Sequence, residues 1–233
     1  MRFVTRAGIA LMAFACIVFF SGWQLASLAL DEKQMTRMFE GHAQTPDVTP
    51  ERYPDLAATI TDYLSGKTDD MQLEIEQNGE VLPAFGQREM AHMKDVRGLV
   101  ALGQNIRWAL VFIMGLALAL FLLRQRGILK IEVRDVELGY VAGALAFYGI
   151  LLVLAAWALI DFDGLFTLMH ELTFSNDLWL LNPQEDLLIQ LMPESFFSGY
   201  SWLFLKRNAF FYAGTLLAAL YFLTRKSAGT KTA

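Results

Sequence analysis

Long apolar stretches alternate with polar segments along this chain. Residues 8–30 and 138–160 contain no charged side chain, and each is long enough as a helix to cross a hydrocarbon core of about 30 Å. Two shorter stretches, 108–123 and 208–223, reach the required length if adjacent basic side chains extend to the lipid headgroups. The pattern therefore predicts four transmembrane helices, at residues 1–30, 108–123, 138–160 and 208–223.

The polar segment 31–107 has the pattern of a small folded domain. Residues 55–66 show helical spacing and end at a glycine, and residues 71–85 alternate apolar and polar positions around Asn78-Gly79, which is typical of a β-hairpin. The spacing becomes helical again from Gln87 and continues into the second apolar stretch. We therefore expect a small α+β cap over residues 31–107.

The polar segment 161–207 is rich in aromatic residues. Asn182-Pro183 followed by Glu185 is a typical helix start, with asparagine as the N-cap, and predicts a helix that continues through Met192. Its apolar residues fall on one side of that helix. We expect an interfacial helical segment, with its aromatic side chains at headgroup depth.

The distribution of basic residues predicts the orientation of these helices. Residues 1–7 and the tail 224–233 carry basic residues and no acid, and the short loop 124–137 carries four basic residues. Because short loops rich in Lys and Arg stay on the cytoplasmic side, both termini are predicted to be cytoplasmic, with 31–107 and 161–207 outside. The net charge of −5 lies mainly in those outer segments and argues against nucleic-acid binding.

The single cysteine, Cys16, raises an alternative for the first apolar stretch. Ala13-Phe14-Ala15-Cys16 resembles a lipoprotein cleavage site, but the apolar stretch continues to Leu30, which favours an uncleaved transmembrane helix. One cysteine allows no internal disulfide, and a cysteine buried in a span is a poor nucleophile.

Three histidines are the main candidates for chemistry: His42, His92 and His170. His42 lies in loop-like sequence and is interpreted as a surface residue. His92 lies on a predicted helix with Glu89 and Asp95 three positions to either side, so Asp95 can accept from one imidazole nitrogen and leave the other as a base. Taken alone, His92 also fits a solvated helix face and His170 also fits a packing role at the interface, so both interpretations stay open.

Other catalytic chemistries have weaker support. His170-Glu171-Leu172 begins like a zinc-protease motif, but Phe174 stands where the second histidine is required. Ser195 has no recognisable nucleophile elbow. Two histidines with a carboxylate leave a metal-dependent hydrolase as an alternative, although no spacing in the sequence requires a metal.

Two blocks of sequence resemble the DUF1461 integral membrane family, which includes the lipoprotein intramolecular transacylases (Lit). They are residues 88–99, REMAHMKDVRGL, and residues 161–200, which contain HELTFSNDLWLLNPQEDLLIQLMPESFF. The order of spans and outer segments is similar over essentially the whole chain. Family members often have phenylalanine before the second histidine, where this chain has Met169, and we interpret the difference as a change in packing.

The resemblance implies a multi-pass enzyme of the bacterial cytoplasmic membrane with its active site on the outer face. Its reaction moves the sn-2 acyl chain of an S-diacylglyceryl lipoprotein to the α-amine of the N-terminal cysteine and gives the lyso-form. The partners it implies are diacylglyceryl-modified lipoproteins and membrane phospholipid, with no cofactor, metal or nucleic acid. The alternatives are a non-catalytic membrane protein that binds lipid or lipoprotein, and the metal-dependent hydrolase.

The family's two essential histidines correspond to His92 and His170 in this sequence, one as the base and the other as the acid, in an order that the sequence leaves open. We expect Asp95 to orient His92, and Asn176 to orient His170 or to donate to the oxyanion. The expected substrate-binding residues are Arg97, Trp179 and Asp186.

Overall fold

The computed structural model describes residues 2–46, 48–77 and 80–225, and helices dominate it. The helices are α1 (Arg2–Ala29), α2 (Glu32–His42), α3 (Tyr53–Ser65), α4 (Gln87–Gln125), α5 (Val133–Ile160), α6 (Phe162–Thr173), α7 (Leu187–Leu191), α8 (Glu194–Arg207) and α9 (Ala209–Thr224). A 3₁₀ turn at Pro50–Arg52 precedes α3, and two strands, β1 (Glu74–Gln77) and β2 (Glu80–Pro83), precede α4.

The chain divides into two compact units. The first unit comprises the chain up to Gly22, Ile106–Ala156 and the chain from Arg207 onward. The second unit comprises Trp23–Asn105 and Trp157–Lys206. Both units are built from segments that are distant in sequence, so neither is a continuous stretch of chain.

Three helices are long and apolar enough to cross a membrane: α1, α4 and α5. The predicted stretch 108–123 is the second half of α4, whose 39 residues make a helix about 58 Å long, roughly twice a hydrocarbon core of about 30 Å. The fourth predicted span corresponds to α9, which is apolar but has only 16 residues. The protein is thus a mostly helical membrane protein with three such helices in the described part of the chain, and a fourth span stays a prediction.

Close backbone contact joins α1 and α5 in the first unit. A Cβ added at Gly139 would lie 2.7 Å from the Cβ of Ile9, and one added at Gly143 would collide with the carbonyl oxygen of Ala10. Two glycines four residues apart on one helix face let the backbones of two membrane helices approach, and this approach replaces the hydrophobic driving force that lipid does not supply. The pair therefore lets the backbones of α1 and α5 pack closely at these positions.

Ion pairs in the first unit join three parts of the chain. Arg6 near the start of α1 pairs with the buried Asp135 of α5 at 2.6 Å. Arg225, which follows α9, pairs with the buried Glu137 at 3.1 Å, and Arg134 lies 3.3 Å from the same carboxylate. The beginning of α1, the beginning of α5 and the end of α9 are therefore at the same end of this unit.

The second unit has its own apolar core, formed by α2, α3, α7, α8 and the first half of α4. Its most deeply buried side chains include Phe39, Leu56, Ile60, Met71 and Leu191. Helix α3 ends at Gly66, whose φ of 80° is the left-handed conformation that glycine adopts most readily. The strands β1 and β2 are antiparallel, with Ile75 opposite Leu82, and the predicted turn at Asn78-Gly79 lies outside the described residues.

The prediction that a helix begins at Asn182 is wrong. Residues 182–186 form a turn in which the Asn182 carbonyl accepts from the Asp186 N–H at 2.8 Å, while the Asp186 carboxylate accepts from the Asn182 N–H at 2.6 Å. The helix α7 begins only at Leu187 and has five residues. The four residues predicted to form its apolar side are buried: Leu187, Leu188, Leu191 and Met192.

His42 also differs from its interpretation as a loop residue. It is the last residue of α2, and the α2 segment was not predicted as a helix. Its ring lies against α8, where a Cβ added at Gly199 would be 2.8 Å from His42 Nε2. The sequence pattern does not predict this helix because it has only three buried side chains, Met35, Met38 and Phe39, and its other positions are polar.

Candidate active site

Helical spacing gives α4 and α6 one cavity-lining face each in the second unit. On α4, His92, Val96 and Val100 are four residues apart and line one cavity. On α6, Phe166 and His170 have the same spacing and line the same cavity from the other side. The local sequence thus positions each histidine, and the fold of the second unit brings them together.

The two histidine rings are neighbours. Their centroids are 6.1 Å apart, and the side chains are only 8% and 7% exposed for His92 and His170. Phe174 packs against both rings, with its ring centroid 5.2 Å from that of His92 and 5.6 Å from that of His170. Trp179 lies 4.9 Å from the His170 ring, so the pair is enclosed by aromatic side chains.

His170 is held by its own helix. Its Nδ1 lies 2.8 Å from the carbonyl oxygen of Phe166. Because a carbonyl oxygen can only accept, Nδ1 carries the proton and donates it, which leaves the lone pair of a neutral imidazole on Nε2. This acceptor lies one helical turn before His170, and the spacing of four residues is the only signal of it in the sequence.

His92 lacks a hydrogen bond like the one that holds the His170 ring. Its Nδ1 is buried and makes no hydrogen bond to any described residue. Burial, and then the neighbouring His170, lower the pKa of His92 to about 4, against the opposite effect of Asp95. Burial also lowers the pKa of His170, against the opposite effect of the Phe166 carbonyl. Both rings are therefore neutral near pH 7, and both lie outside the four predicted spans.

Asp95 and Asn176 are paired with each other and not with the histidines. The amide nitrogen of Asn176 donates to Asp95 Oδ2 at 2.9 Å. Asp95 does not make the predicted hydrogen bond to His92, whose buried Nδ1 has no partner among the described residues. Arg88 donates to the carbonyl of Asp177 nearby, so two contacts fasten the segment after α6 to α4, close to both histidines.

The cavity that holds the histidines has a volume of about 440 Å³, and nearly all its lining is apolar. Trp179 contributes to the wall, and its binding of substrate stays a prediction. Arg97 does not: five positions after His92, it points about 140° away around α4. Its guanidinium lies over the Tyr63 ring, 4.9 Å from the centroid, and 3.6 Å from Asp69.

Asp186 likewise lies outside the cavity wall, because its carboxylate closes the turn with Asn182. The two charged residues expected to bind substrate are thus engaged in structural contacts. Among the described residues, no group of three or more His, Cys, Asp and Glu side chains is arranged to hold a metal ion. Metal independence stays a prediction.

Glu89 is a buried residue of this region whose function the sequence did not reveal. Its carboxylate accepts from the N–H of Gly86 and from the N–H of Leu188, both at 2.6 Å. Burial raises the pKa of this carboxyl, against the opposite effect of those two hydrogen bonds. Glu89 therefore links the start of α4, one turn before His92, to the first turn of α7, where Leu188 lines the cavity.

Fold and site together define a helical membrane protein with an apolar cavity and a buried pair of neutral histidines. The family model described as lipoprotein intramolecular transacylase Lit matches residues 6–197. The chain belongs to this family, which confirms the resemblance seen in the two sequence blocks.

Solved structures show the same fold. The chain is similar to the membrane integral lipoprotein intramolecular transacylase Lit from Bacillus cereus, with 23% identity over 93% of this chain and 94% of that chain, and a TM-score of 0.63. A histidine-to-alanine variant of the Bacillus cereus protein matches with 22% identity over 94% and 92% of the two chains, at a TM-score of 0.57. Among curated proteins, none matches the chain.

Proposed function

We propose that this protein is an intramolecular transacylase of bacterial lipoproteins. It moves the sn-2 acyl chain of the S-diacylglyceryl group to the α-amine of the N-terminal cysteine and releases the lyso-form. The observation that carries the proposal is the pair of buried, neutral histidines, 6.1 Å apart, in an apolar cavity. Family membership supports the same reaction.

The reaction needs proton transfer and no redox partner. The amine nitrogen attacks the ester carbonyl carbon, so an N–C bond forms and, after the tetrahedral intermediate, the C–O bond to glycerol breaks. One proton leaves the nitrogen and one proton reaches the glycerol oxygen. A single histidine that accepts the first proton and delivers it to the leaving oxygen balances the step.

The two histidines are suited to different parts of this reaction. His170 is the base, because its Nδ1–H is fixed on the Phe166 carbonyl, its Nε2 lone pair is available, and the carbonyl stabilises the imidazolium that forms. His92 is a poor base because its pKa is about 4. As a neutral imidazole with a buried Nδ1 that lacks a partner, it donates an N–H to the oxyanion of the intermediate.

The cavity supplies the second requirement, which is positioning. Its apolar wall accommodates an acyl chain and keeps water from competing with the amine, and Trp179 lies beside the proposed base. Holding an amine against an ester within one molecule offsets about 7–11 kcal/mol of a barrier in well-oriented cases. No acyl donor other than the lipoprotein itself is needed.

The proposal includes the arrangement in the membrane. We place the protein in the bacterial cytoplasmic membrane with four spans, both termini in the cytoplasm and the histidines on the outer face. The basic residues that flank the spans support this orientation. The ion pairs of Arg6 with Asp135 and of Arg225 with Glu137 support it too, since an even number of spans returns the chain to its starting side.

The test is mass spectrometry of the N-terminal peptide of a diacylglyceryl lipoprotein incubated with membranes that contain the protein. The wild type should yield one acyl chain on the amine and one on glycerol. His92→Ala and His170→Ala should each lower the rate by about 10²–10⁴-fold, and the double variant should be little worse because the two act as a unit.

His42→Ala is the matched control, because His42 lies on α2 and outside the cavity wall. It should retain activity. Full N-acylation by both histidine variants would leave the alternative of a non-catalytic protein whose apolar cavity only binds lipid.

A further inference from the structure

Tyr200 of α8 carries a buried hydroxyl group without a partner. The residue is 9% exposed, and its hydroxyl oxygen makes no hydrogen bond to any described residue. Burial of a hydroxyl group that forms no hydrogen bond is unfavourable, so such groups in native proteins need an explanation. Tyr200 lines the same cavity as the two histidines, which suggests that its partner belongs to a ligand of that cavity.

The hydroxyl lies in a different part of the cavity from the proposed base. The ring of Tyr200 packs against Phe196 at 4.7 Å, and the charged group that acts on it is Asp31, at the N-cap of α2. Among the described residues, ring contacts connect Tyr200 to His170 only through three intervening side chains, Phe196, Phe197 and Phe166. The cavity therefore has a histidine end and a tyrosine end, separated by apolar wall.

At the tyrosine end, the Tyr200 hydroxyl can donate a hydrogen bond to a bound lipid. Burial, and then the carboxylate of Asp31, raise the pKa of the Tyr200 phenol, so the hydroxyl keeps its proton at neutral and mildly alkaline pH. The two ester groups of a diacylglyceryl substrate carry carbonyl oxygens, which only accept. One carbonyl must lie between the histidines to react, and the other is then buried in the same apolar space and requires a donor.

We propose that Tyr200 is a positioning residue that donates a hydrogen bond to the carbonyl oxygen of the sn-1 ester, the ester that is not attacked. This assignment rests on the proposed function. The hydrogen bond fixes the glycerol backbone so that the sn-2 ester, and not the sn-1 ester, reaches His170. Tyr200 then determines which acyl chain is transferred.

The experiment measures binding, so that it does not depend on turnover. The ligands are an S-diacylglyceryl cysteine peptide with an acetylated amine and two analogues, in which an ether replaces either the sn-1 or the sn-2 ester. Affinities are measured for the wild type and Tyr200→Phe, which removes the hydroxyl and keeps the ring on Phe196. The wild type should bind the diester about 3- to 10-fold more tightly than the sn-1 ether, and Tyr200→Phe should bind both equally weakly.

Tyr212→Phe is a matched control. Tyr212 is similarly buried, at 8% exposed, but its hydroxyl lies 2.8 Å from the hydroxyl of Ser21 in the first unit. This variant should keep the preference for the diester and should unfold at a lower temperature. Tyr200→Phe without ligand should unfold at the same temperature as the wild type or higher, because it loses an unpaired hydroxyl.

Three results would overturn the proposal: no preference of the wild type for the sn-1 ester, an unchanged preference in Tyr200→Phe, or a preference that follows the sn-2 ester. A Tyr200→Phe variant that is less stable and binds all three ligands equally less well would indicate a structural role. Failure of the proposed function has a different signature, since a wild type that makes no lyso-form product can still show the sn-1 preference.

Discussion

Replacement of Glu89 by glutamine should strongly destabilise the second unit, although it only exchanges one carboxylate oxygen for an NH₂ group. The carboxylate accepts two backbone N–H groups, at 2.6 Å each, from Gly86 and Leu188. Glutamine keeps one acceptor oxygen and turns its NH₂ group toward the other N–H, which loses one hydrogen bond and places two donors together. Hydrogen bonds to charged groups contribute about 1.5–3 kcal/mol each, so we expect a loss of about 2–4 kcal/mol.

The assay is thermal unfolding of the purified protein in detergent at pH 8, an alkaline pH chosen because burial raises the pKa of Glu89. For a chain of this size, each kcal/mol shifts the midpoint by about 2–4 °C, so the midpoint should fall by about 4–16 °C. Glu185→Gln is the control, because Glu185 is exposed in the turn before α7 and should shift the midpoint by less than about 2 °C. An equally small shift for Glu89→Gln would refute the proposed link between α4 and α7.

Four further predictions test the rest of the molecule. Gly143→Leu should reduce accumulation in the membrane because any Cβ there collides with the Ala10 carbonyl, whereas Gly149→Leu on the same helix, with open space around it, should not. The rate of acyl transfer, kcat, should rise with pH through a midpoint below about 6.5, because burial lowers the pKa of His170 and the base must be neutral; a midpoint above about 7 would contradict this assignment. Cysteines at Asp70 and Gln184, introduced into a Cys16→Ala background, should react with an impermeant thiol reagent in intact cells, and labelling only after lysis would contradict the topology. Activity should survive EDTA, and loss of a bound metal together with activity would instead indicate that the histidines are ligands.

The membrane helices were predictable because their signal is local. The uncharged stretches 8–30 and 138–160 lie within α1 and α5 apart from one residue, Leu30, since a run of apolar residues of that length has few alternatives to a membrane helix. The helical spacing from Gln87 onward likewise indicated one continuous α4. The packing partners were not predictable, because Gly139 and Gly143 are informative only once α1 is known to lie against them.

Predictions from the local sequence pattern were wrong where a residue distant in sequence makes a competing hydrogen bond. Asn182-Pro183 and Glu185 have every feature of a helix start, yet α7 begins at Leu187 because Asp186 closes a turn and Glu89, 99 residues away, accepts from the N–H of Leu188. The same limit applies to Asp95. Its spacing from His92 is right for a contact, but the Asp95 carboxylate accepts from Asn176, in the segment after α6, and not from His92.

The pairing of the histidines and their separate roles have different origins. The sequence predicts that His92 and His170 lie on the same side of the membrane, but it does not determine which of them is the base and which is the acid. What distinguishes them is a backbone carbonyl, that of Phe166, which is within reach of His170 because the two are one helical turn apart. Burial makes both rings weak bases, and that carbonyl partly offsets the effect for His170 alone. The asymmetry follows from the backbone of α6, so a side-chain substitution at Phe166 should leave the identity of the base unchanged.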